Sequence, residues 1–233
     1  MNINIFQLLD GAKEATGLTV IIDVFRAFSV ACYIVNNGAK RIIPVGDIDI
    51  AYKLKEENPD YILIGERKER IQPGFDYGNS PTHIENIDFS GKTVVHTTSA
   101  GTQGIVNAVK ADEIITGSLV NSKAIAKYIK AKNPKTVSLV CMGYEGRFES
   151  DEDTICAEYI KSILEEKVYD INSKIAGLKH SSGKRFFDLA KSKWSPERDF
   201  YLCTDMDRFD FVLKAEKDDY GLYCLNKIDC LDR

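Results

Sequence analysis

Histidine is scarce and paired cysteine is absent. Only His83, His96 and His180 occur, the six cysteines include no Cys-x-x-Cys pair, and no histidine stands at ligand spacing from a cysteine. A zinc site is therefore not expected. No run approaches the roughly 18 apolar residues of a membrane span. The segment MNINIFQLLDG has no basic stretch followed by a long apolar run, so no secretory signal is expected there. An excess of positive charge is also missing: 31 basic residues face 35 acidic ones, a net charge of -4. That excludes a general nucleic-acid surface. It leaves an anionic substrate open, because a few arginines in a cleft set the field locally.

Several catalytic signatures are lacking as well. No Gly-x-Gly-x-x-Gly follows the first strong strand, which argues against a classical dinucleotide site. The segment GLKHSSGK (177–184) is one residue too long for a phosphate-binding loop, and Arg185 stands where a hydroxyl is needed. No serine elbow or Cys–His signature occurs. The spacing Asp23-Val24-Phe25-Arg26-Ala27 is not the Asp-x-Asp of phosphatases with an aspartyl nucleophile.

What remains is a chain of 233 residues, 44% hydrophobic and 28% charged, enough to bury a core without staples. Cys32, Cys141, Cys156, Cys203, Cys224 and Cys230 are scattered, several within apolar runs, and read as reduced, buried thiols of a cytoplasmic protein. Apolar runs at 18–24, 41–45, 61–65, 93–97, 113–116 and 136–142 predict strands. Amphipathic stretches at 28–37, after Asp47, and at 102–109 and 122–132 predict helices between them. This alternation implies an α/β fold of three layers, α/β/α, around a largely parallel sheet. Beyond about residue 166 the pattern changes to helical pieces at 184–190 and 196–203 and a hairpin formed by 211–215 and 222–228. No Pro/Ser-rich linker separates the regions. One domain over 1–233 is expected, with a strand–helix core over 1–165 and a C-terminal extension over 166–233. The hairpin would supply a free edge for self-association, so a homo-oligomer is one expectation. Two segments, IIDVFRAFSVA (21–31) and VVHTTSAGTQG (94–104), share a strand–loop–helix layout.

Ligands of open α/β sheets gather at the carboxyl ends of strands, beside helix N-termini. After the first strong strand stand Asp23, Arg26 and Ser29; Asp23 reads as a metal ligand, as an acid–base group or as a buried partner of Arg26. After the third come Glu66, Arg67 and a long loop ending in Asn79-Ser80-Pro81. Asn79 and Ser80 serve equally as helix cap or ligand contact. After the fourth, the small donors Thr97, Thr98, Ser99, Ala100, Gly101 and Thr102 suit an oxyanion. After the last, Asp151, Glu152 and Asp153 open a helix, where the dipole alone favours acids. A carboxylate there could also join Asp23 and Glu66 around one cation.

These motifs together resemble the 2-phosphosulfolactate phosphatase family. The resemblance rests on Ile22-Asp23-Val24-Phe25-Arg26-Ala27, Gly65-Glu66-Arg67, Gly74-Phe75-Asp76-Tyr77-Gly78-Asn79-Ser80-Pro81, the 97–102 loop, and Glu152-Asp153 with Cys156-Ala157. It spans most of the first 160 residues. Two departures stand out: Phe28 where the family usually has a small hydroxyl residue, and Ser99-Ala100 where it usually has Thr-Asn. The resemblance implies a magnesium-dependent phosphatase releasing phosphate from 2-phospho-3-sulfolactate, a step toward coenzyme M. On that basis Asp23, Glu66 and Asp153 would hold Mg²⁺, Arg26 and Arg67 would clamp the anionic substrate, and Asp23 would also be catalytic. The 97–102 residues, Asn79 and Ser80 would bind the substrate. Another small anionic phosphomonoester, or non-catalytic metabolite binding, is the alternative.

Overall fold

The computed structural model describes residues 1–230. Nine strands form one mixed sheet: β1 (Asn2–Gln7), β2 (Gly17–Ile22), β3 (Arg41–Pro44), β4 (Ile62–Gly65), β5 (Thr93–Thr97), β6 (Ala111–Gly117), β7 (Thr136–Cys141), β8 (Phe211–Lys217) and β9 (Tyr223–Asp229). The helices are α1 (Leu8–Glu14), α2 (Ala27–Asn36), α3 (Ile48–Glu57), α4 (Pro81–Ile84), α5 (Gly101–Asn107), α6 (Ser122–Lys132), α7 (Asp151–Leu164), α8 (Ile171–Leu178) and α9 (Glu197–Thr204). The strand order is β1-β7-β2-β6-β8-β9-β3-β5-β4.

Burial on both faces explains why the strand runs are almost wholly apolar. Along β2, Val20 and Ile22 face a core layer with Ile125 of α6 and Ile160 of α7. Ile21, pointing the other way, joins Ala12 of α1, Phe28 of α2 and Ile105 of α5. The α/β/α layering expected from the sequence is present. Asp47 caps α3 by accepting from the Asp49 N–H. The six cysteines are free thiols, five of them buried. Among the described residues, no helix is long and apolar enough to cross a membrane.

The C-terminal hairpin corrects one expectation. β8 pairs antiparallel with β6, and β9 with β3, so the hairpin lies inside the sheet and offers no free edge. The edges are β1 and β4. β1 escapes the sequence reading because NINIFQ alternates polar with apolar residues and is only partly buried.

The hairpin also sets the geometry of the site. Three antiparallel steps separate the block β1-β7-β2-β6 from the block β3-β5-β4, so the two blocks run in opposite senses. Four strands lie between β2 and β5, a separation of about 24 Å in a flat sheet. Yet the loops after β2 and β5 are in hydrogen-bond contact, 2.8 Å from Asp23 Oδ2 to Gly101 N. The sheet therefore wraps, and the strand ends of both blocks meet across it. The shared strand–loop–helix layout of 21–31 and 94–104 corresponds to β2–α2 and β5–α5, one unit from each block.

Candidate active site

Three buried carboxylates tie the strand-end loops together in pairs. Asp23, just after β2, accepts from Ala27 N at 3.0 Å and from Gly101 N at 2.8 Å, the first amides of α2 and α5. Glu66, just after β4, accepts from Ser99 N at 2.8 Å and from Glu69 N at 2.8 Å, with Ser99 Oγ at 3.2 Å. Asp153, in the first turn of α7, accepts from Val24 N and Gly143 N, both at 2.8 Å, and so joins the loops after β2 and β7. Each is a charge-assisted bond to a desolvated acceptor, which offsets part of the cost of burying the charge.

Gly101 is required by this closeness. A Cβ on it would stand 2.8 Å from Asp23 Oδ2 and 2.8 Å from Ala27 Cβ, nearer than packed atoms tolerate.

The acids repel one another. Burial pushes Asp23 up to about 6 against the opposing amide of Ala27, and the charges of Glu152 and Glu66 add to the rise. Burial raises Asp153 well above the usual carboxylate range, with Glu152 and Asp23 contributing. Glu152 is raised by burial too, with the Arg185 guanidinium opposing.

Around Asp23 and Glu66 lies a small cavity, about 40 Å³, that opens to solvent. Glu69 and Glu145 add further acids to its wall, Arg26 and Arg185 supply cations, and Asn79, Thr98, Ser99 and Ala100 supply small polar or compact groups. Asn79 Oδ1 is 3.3 Å from Nε2 of His96, a fully buried imidazole of β5. Burial lowers His96 to about 4, keeping the ring neutral. A neutral ring donating from Nε2 holds the Asn79 amide with its NH₂ turned away, a donor pair for an anion in the cavity.

Arg26 is almost fully buried and donates from Nη1 to Asp199 Oδ2 at 2.6 Å and to the Trp194 carbonyl at 2.7 Å. Its partner is thus Asp199 rather than Asp23. Arg185 donates to the Phe25 carbonyl at 2.8 Å, pairs with Glu69 at 3.1 Å and stacks 5.3 Å from the Tyr144 ring. Arg185, Glu69, Glu145 and Asp199 are the site residues that sequence reasoning missed. Arg185 and Asp199 lie in the stretch beyond residue 166 that carries no local motif, and only tertiary contact brings them in.

The remaining sequence candidates divide. Thr98 and Thr102 are satisfied by each other, with Thr98 N 3.0 Å from Thr102 Oγ1 and Thr102 N 3.2 Å from Thr98 Oγ1. Thr97 Oγ1 accepts from Arg67 at 2.8 Å, and Ser80 Oγ donates to Asp199 at 2.8 Å. Arg67 faces an adjoining cavity, where it lies beside Lys68 and Arg147. The N–H groups of Ser99 and Gly101 point at Glu66 and Asp23 rather than forming an open oxyanion cradle. Asp153 stands behind Asp23, outside the cavity wall.

The donor chemistry fits a hard divalent cation. Asp23 and Glu66 present oxygen ligands side by side with charge that the wall cations do not neutralise, and the nearby Glu152 Oε2 is buried without a partner. Among the described residues no three His, Cys, Asp or Glu side chains form a ready cage. A divalent ion between Asp23 and Glu66 would therefore have at most those carboxylates and would complete its shell with water.

Comparison with known proteins bears on what such a cavity does. The sequence model of a family described as 2-phosphosulpholactate phosphatase matches residues 4–218. A Bacillus subtilis (strain 168) protein named "Probable 2-phosphosulfolactate phosphatase" is 33% identical over 222 residues, covering 94% of this chain and 95% of its own. Proteins of the same name from Caldanaerobacter subterraneus and Clostridium tetani are 33% and 42% identical, over 84% and 76% of this chain and 87% and 78% of theirs.

Proposed function

Because the chain belongs to the 2-phosphosulpholactate phosphatase family, we propose that it hydrolyses 2-phospho-3-sulfolactate to 3-sulfolactate and inorganic phosphate, with Mg²⁺ as cofactor, in the cavity between Asp23 and Glu66. One observation carries this reading: four strand-end loops from two opposed blocks converge on a space walled by both carboxylates and guanidinium groups. Carboxylates alone would repel a phosphate, and guanidinium groups alone would not recruit a divalent ion. The combination suits a metal–phosphate pair.

Asp23 and Glu66 would hold the ion, with Asp153 fixing the loop beside Asp23. Bound there, magnesium supplies charge neutralisation for the phosphoryl oxygens. The chain's own residues do the rest. Arg26, held by Asp199, and Arg185, held by Glu69 and the Phe25 carbonyl, would offer pre-oriented guanidinium groups to the phosphoryl group. Asn79 adds its amide donors. Such pre-positioned donors need little reorganisation as charge shifts in the transition state.

Water is the attacking group in this reading. Both oxygens of Asp23 already accept an amide hydrogen, which draws electron density from the carboxylate and makes it a weaker nucleophile than a free one. Water attack forms the new P–O bond as the ester P–O bond breaks, and the leaving alkoxide takes a proton to become the hydroxyl of 3-sulfolactate. A single turnover of substrate carrying radioactive phosphorus, quenched in acid, tests this: label should appear in the released phosphate and none in the protein. Label in an Asp or Glu side chain would overturn it.

A further inference from the structure

Hydrolysis of an alkyl phosphate expels an alkoxide, a base too strong to leave readily without a proton, so a donor beside the bridging oxygen lowers the barrier. The wall of the cavity offers few candidates. Its carboxylates accept hydrogen bonds when ionised and give none, and the guanidinium groups of Arg26 and Arg185 donate hydrogen bonds without surrendering a proton. Two wall hydroxyls are engaged: Thr98 Oγ1 accepts from Thr102 N at 3.2 Å, and Ser99 Oγ donates to Glu66 Oε2 at 3.2 Å. The phenol of Tyr144 remains. Among the described residues nothing hydrogen-bonds its hydroxyl.

Tyr144 is held from two sides. Behind it, the loop after β7 closes on itself. Tyr144 N donates to the Phe148 carbonyl at 2.7 Å, and Arg147 N and Phe148 N both return to the Tyr144 carbonyl at 3.1 Å. Gly143 starts this turn at a φ of 66°, where a Cβ would run into the Phe148 carbonyl, and its N–H is tied to Asp153 Oδ2 at 2.8 Å. In front, the Arg185 guanidinium lies 5.3 Å from the centre of the ring. The phenol thus stands one side chain away from a cation assigned to the phosphoryl group. Depth orders the parts in the same way. Asp23, Glu66 and Arg26 are buried, whereas Tyr144 is 39% exposed at the rim. A phosphoryl group drawn to the buried acids and arginines directs its carbon chain toward that rim. Burial raises the phenol above its ordinary value, with the charge of Glu69 adding and Arg185 opposing, so it carries its proton at neutral pH.

We propose, resting on the phosphatase reading above, that Tyr144 is the general acid of the reaction and gives its phenolic proton to the bridging oxygen as the ester bond breaks. Water forms the new P–O bond while the electron pair of the old one stays on the bridging oxygen and takes the phenolic proton. One proton of the attacking water stays on phosphate and the other passes to solvent, from which the phenolate recovers its own at the open rim. The net consumption is one water per ester. Transfer runs downhill, because an alkoxide is a much stronger base than a phenolate.

The test compares 2-phospho-3-sulfolactate with its phosphorothiolate, in which sulfur replaces the bridging oxygen, in wild type and Tyr144→Phe with magnesium present. A thiolate is a much weaker base than an alkoxide and leaves without a proton, while shape and charge of the ester hardly change. The kcat ratio of sulfur ester to oxygen ester should rise in the variant by at least about a hundredfold, the lower end of what a general acid contributes. KM for the oxygen ester should move by less than about threefold, and circular dichroism should show the fold intact. An equal loss on both esters would make Tyr144 a binding or packing residue and overturn the assignment, as would full activity on both. A wild type inert toward both esters would show that the phosphatase reading itself fails, and the assignment with it.

Discussion

Asp199 Oδ2 lies 2.6 Å from Arg26 Nη1, joining the loop after β2 to a residue 173 positions further along the chain. Both side chains are buried, and Asp199 Oδ1 also accepts from Ser80 Oγ, Thr82 N and Thr82 Oγ1. One carboxylate thus orients a cavity arginine and pins α4 beside it. Asp199→Ala leaves the Arg26 charge buried without its partner, and unfolding titrations should show a loss of about 3–5 kcal/mol. Phosphate release should fall with it, because the freed guanidinium no longer points at a fixed place. Unchanged stability would remove Asp199 from this role.

Gly101→Ala tests the meeting of the two blocks. The added methyl would crowd Asp23 Oδ2 and Ala27 Cβ, both 2.8 Å away. The expected cost is about 1–3 kcal/mol, with a loss of activity larger than that of an alanine placed elsewhere in α5. Denaturation curves and phosphate release together check it.

These relationships mark the limit of what the sequence discloses. Strands β2 to β7 and the helices between them are legible because burial on both faces demands long apolar runs, and Ser122–Lys132 and Thr93–Thr97 coincide with their expected bounds. Asp23 and Glu66 are legible as polar residues directly after such runs, and Asp153 as an acid in the first turn of the helix that follows the last of them. What they touch is not. The hairpin carries only a local signal, so its insertion between β6 and β3, and the wrapping that follows, come from pairing across the whole chain. The same holds for Arg185, which sits in a segment that fails as a phosphate loop yet reaches the cavity through Phe25 and Glu69. The 97–102 loop was expected to cradle an anion with its amides; two of those amides serve Asp23 and Glu66 instead.

Arg185→Gln should keep the fold and lower kcat/KM for the phosphate ester by at least about tenfold, the scale of losing one fixed donor at a reacting anion. Its Glu69 partner oxygen, Oε1, is buried, so a stability loss of about 1–3 kcal/mol should accompany the change, with circular dichroism checking that the fold is kept. Full activity in steady-state assays would assign Arg185 to loop packing alone.

His96 gives a pH signature. Its folded value of about 4 lies below the ordinary 6.5, so between those values the unfolded chain takes up a proton that the folded one refuses. Its contribution to stability is therefore present above about pH 6.5 and is lost as pH falls toward 4, by at most about 1.4 kcal/mol per unit. The raised carboxylates Asp23 and Asp153 act in the opposite direction. The difference between wild type and His96→Gln isolates the imidazole. Urea titrations at pH 7, 6 and 5 should show that difference moving against wild type as the solution becomes more acidic. A difference independent of pH would mean that the ring is not held neutral.

The most direct measurement is phosphate release from 2-phospho-3-sulfolactate across a magnesium titration, for wild type and Asp23→Asn, with circular dichroism and melting followed on the same samples. Wild type should turn over only when magnesium is added. The variant should keep its secondary structure while losing at least about three orders of magnitude in magnesium-supported rate, the scale of removing a group essential to the transition state. A folded Asp23→Asn protein with a near-wild-type magnesium-supported rate would contradict the account.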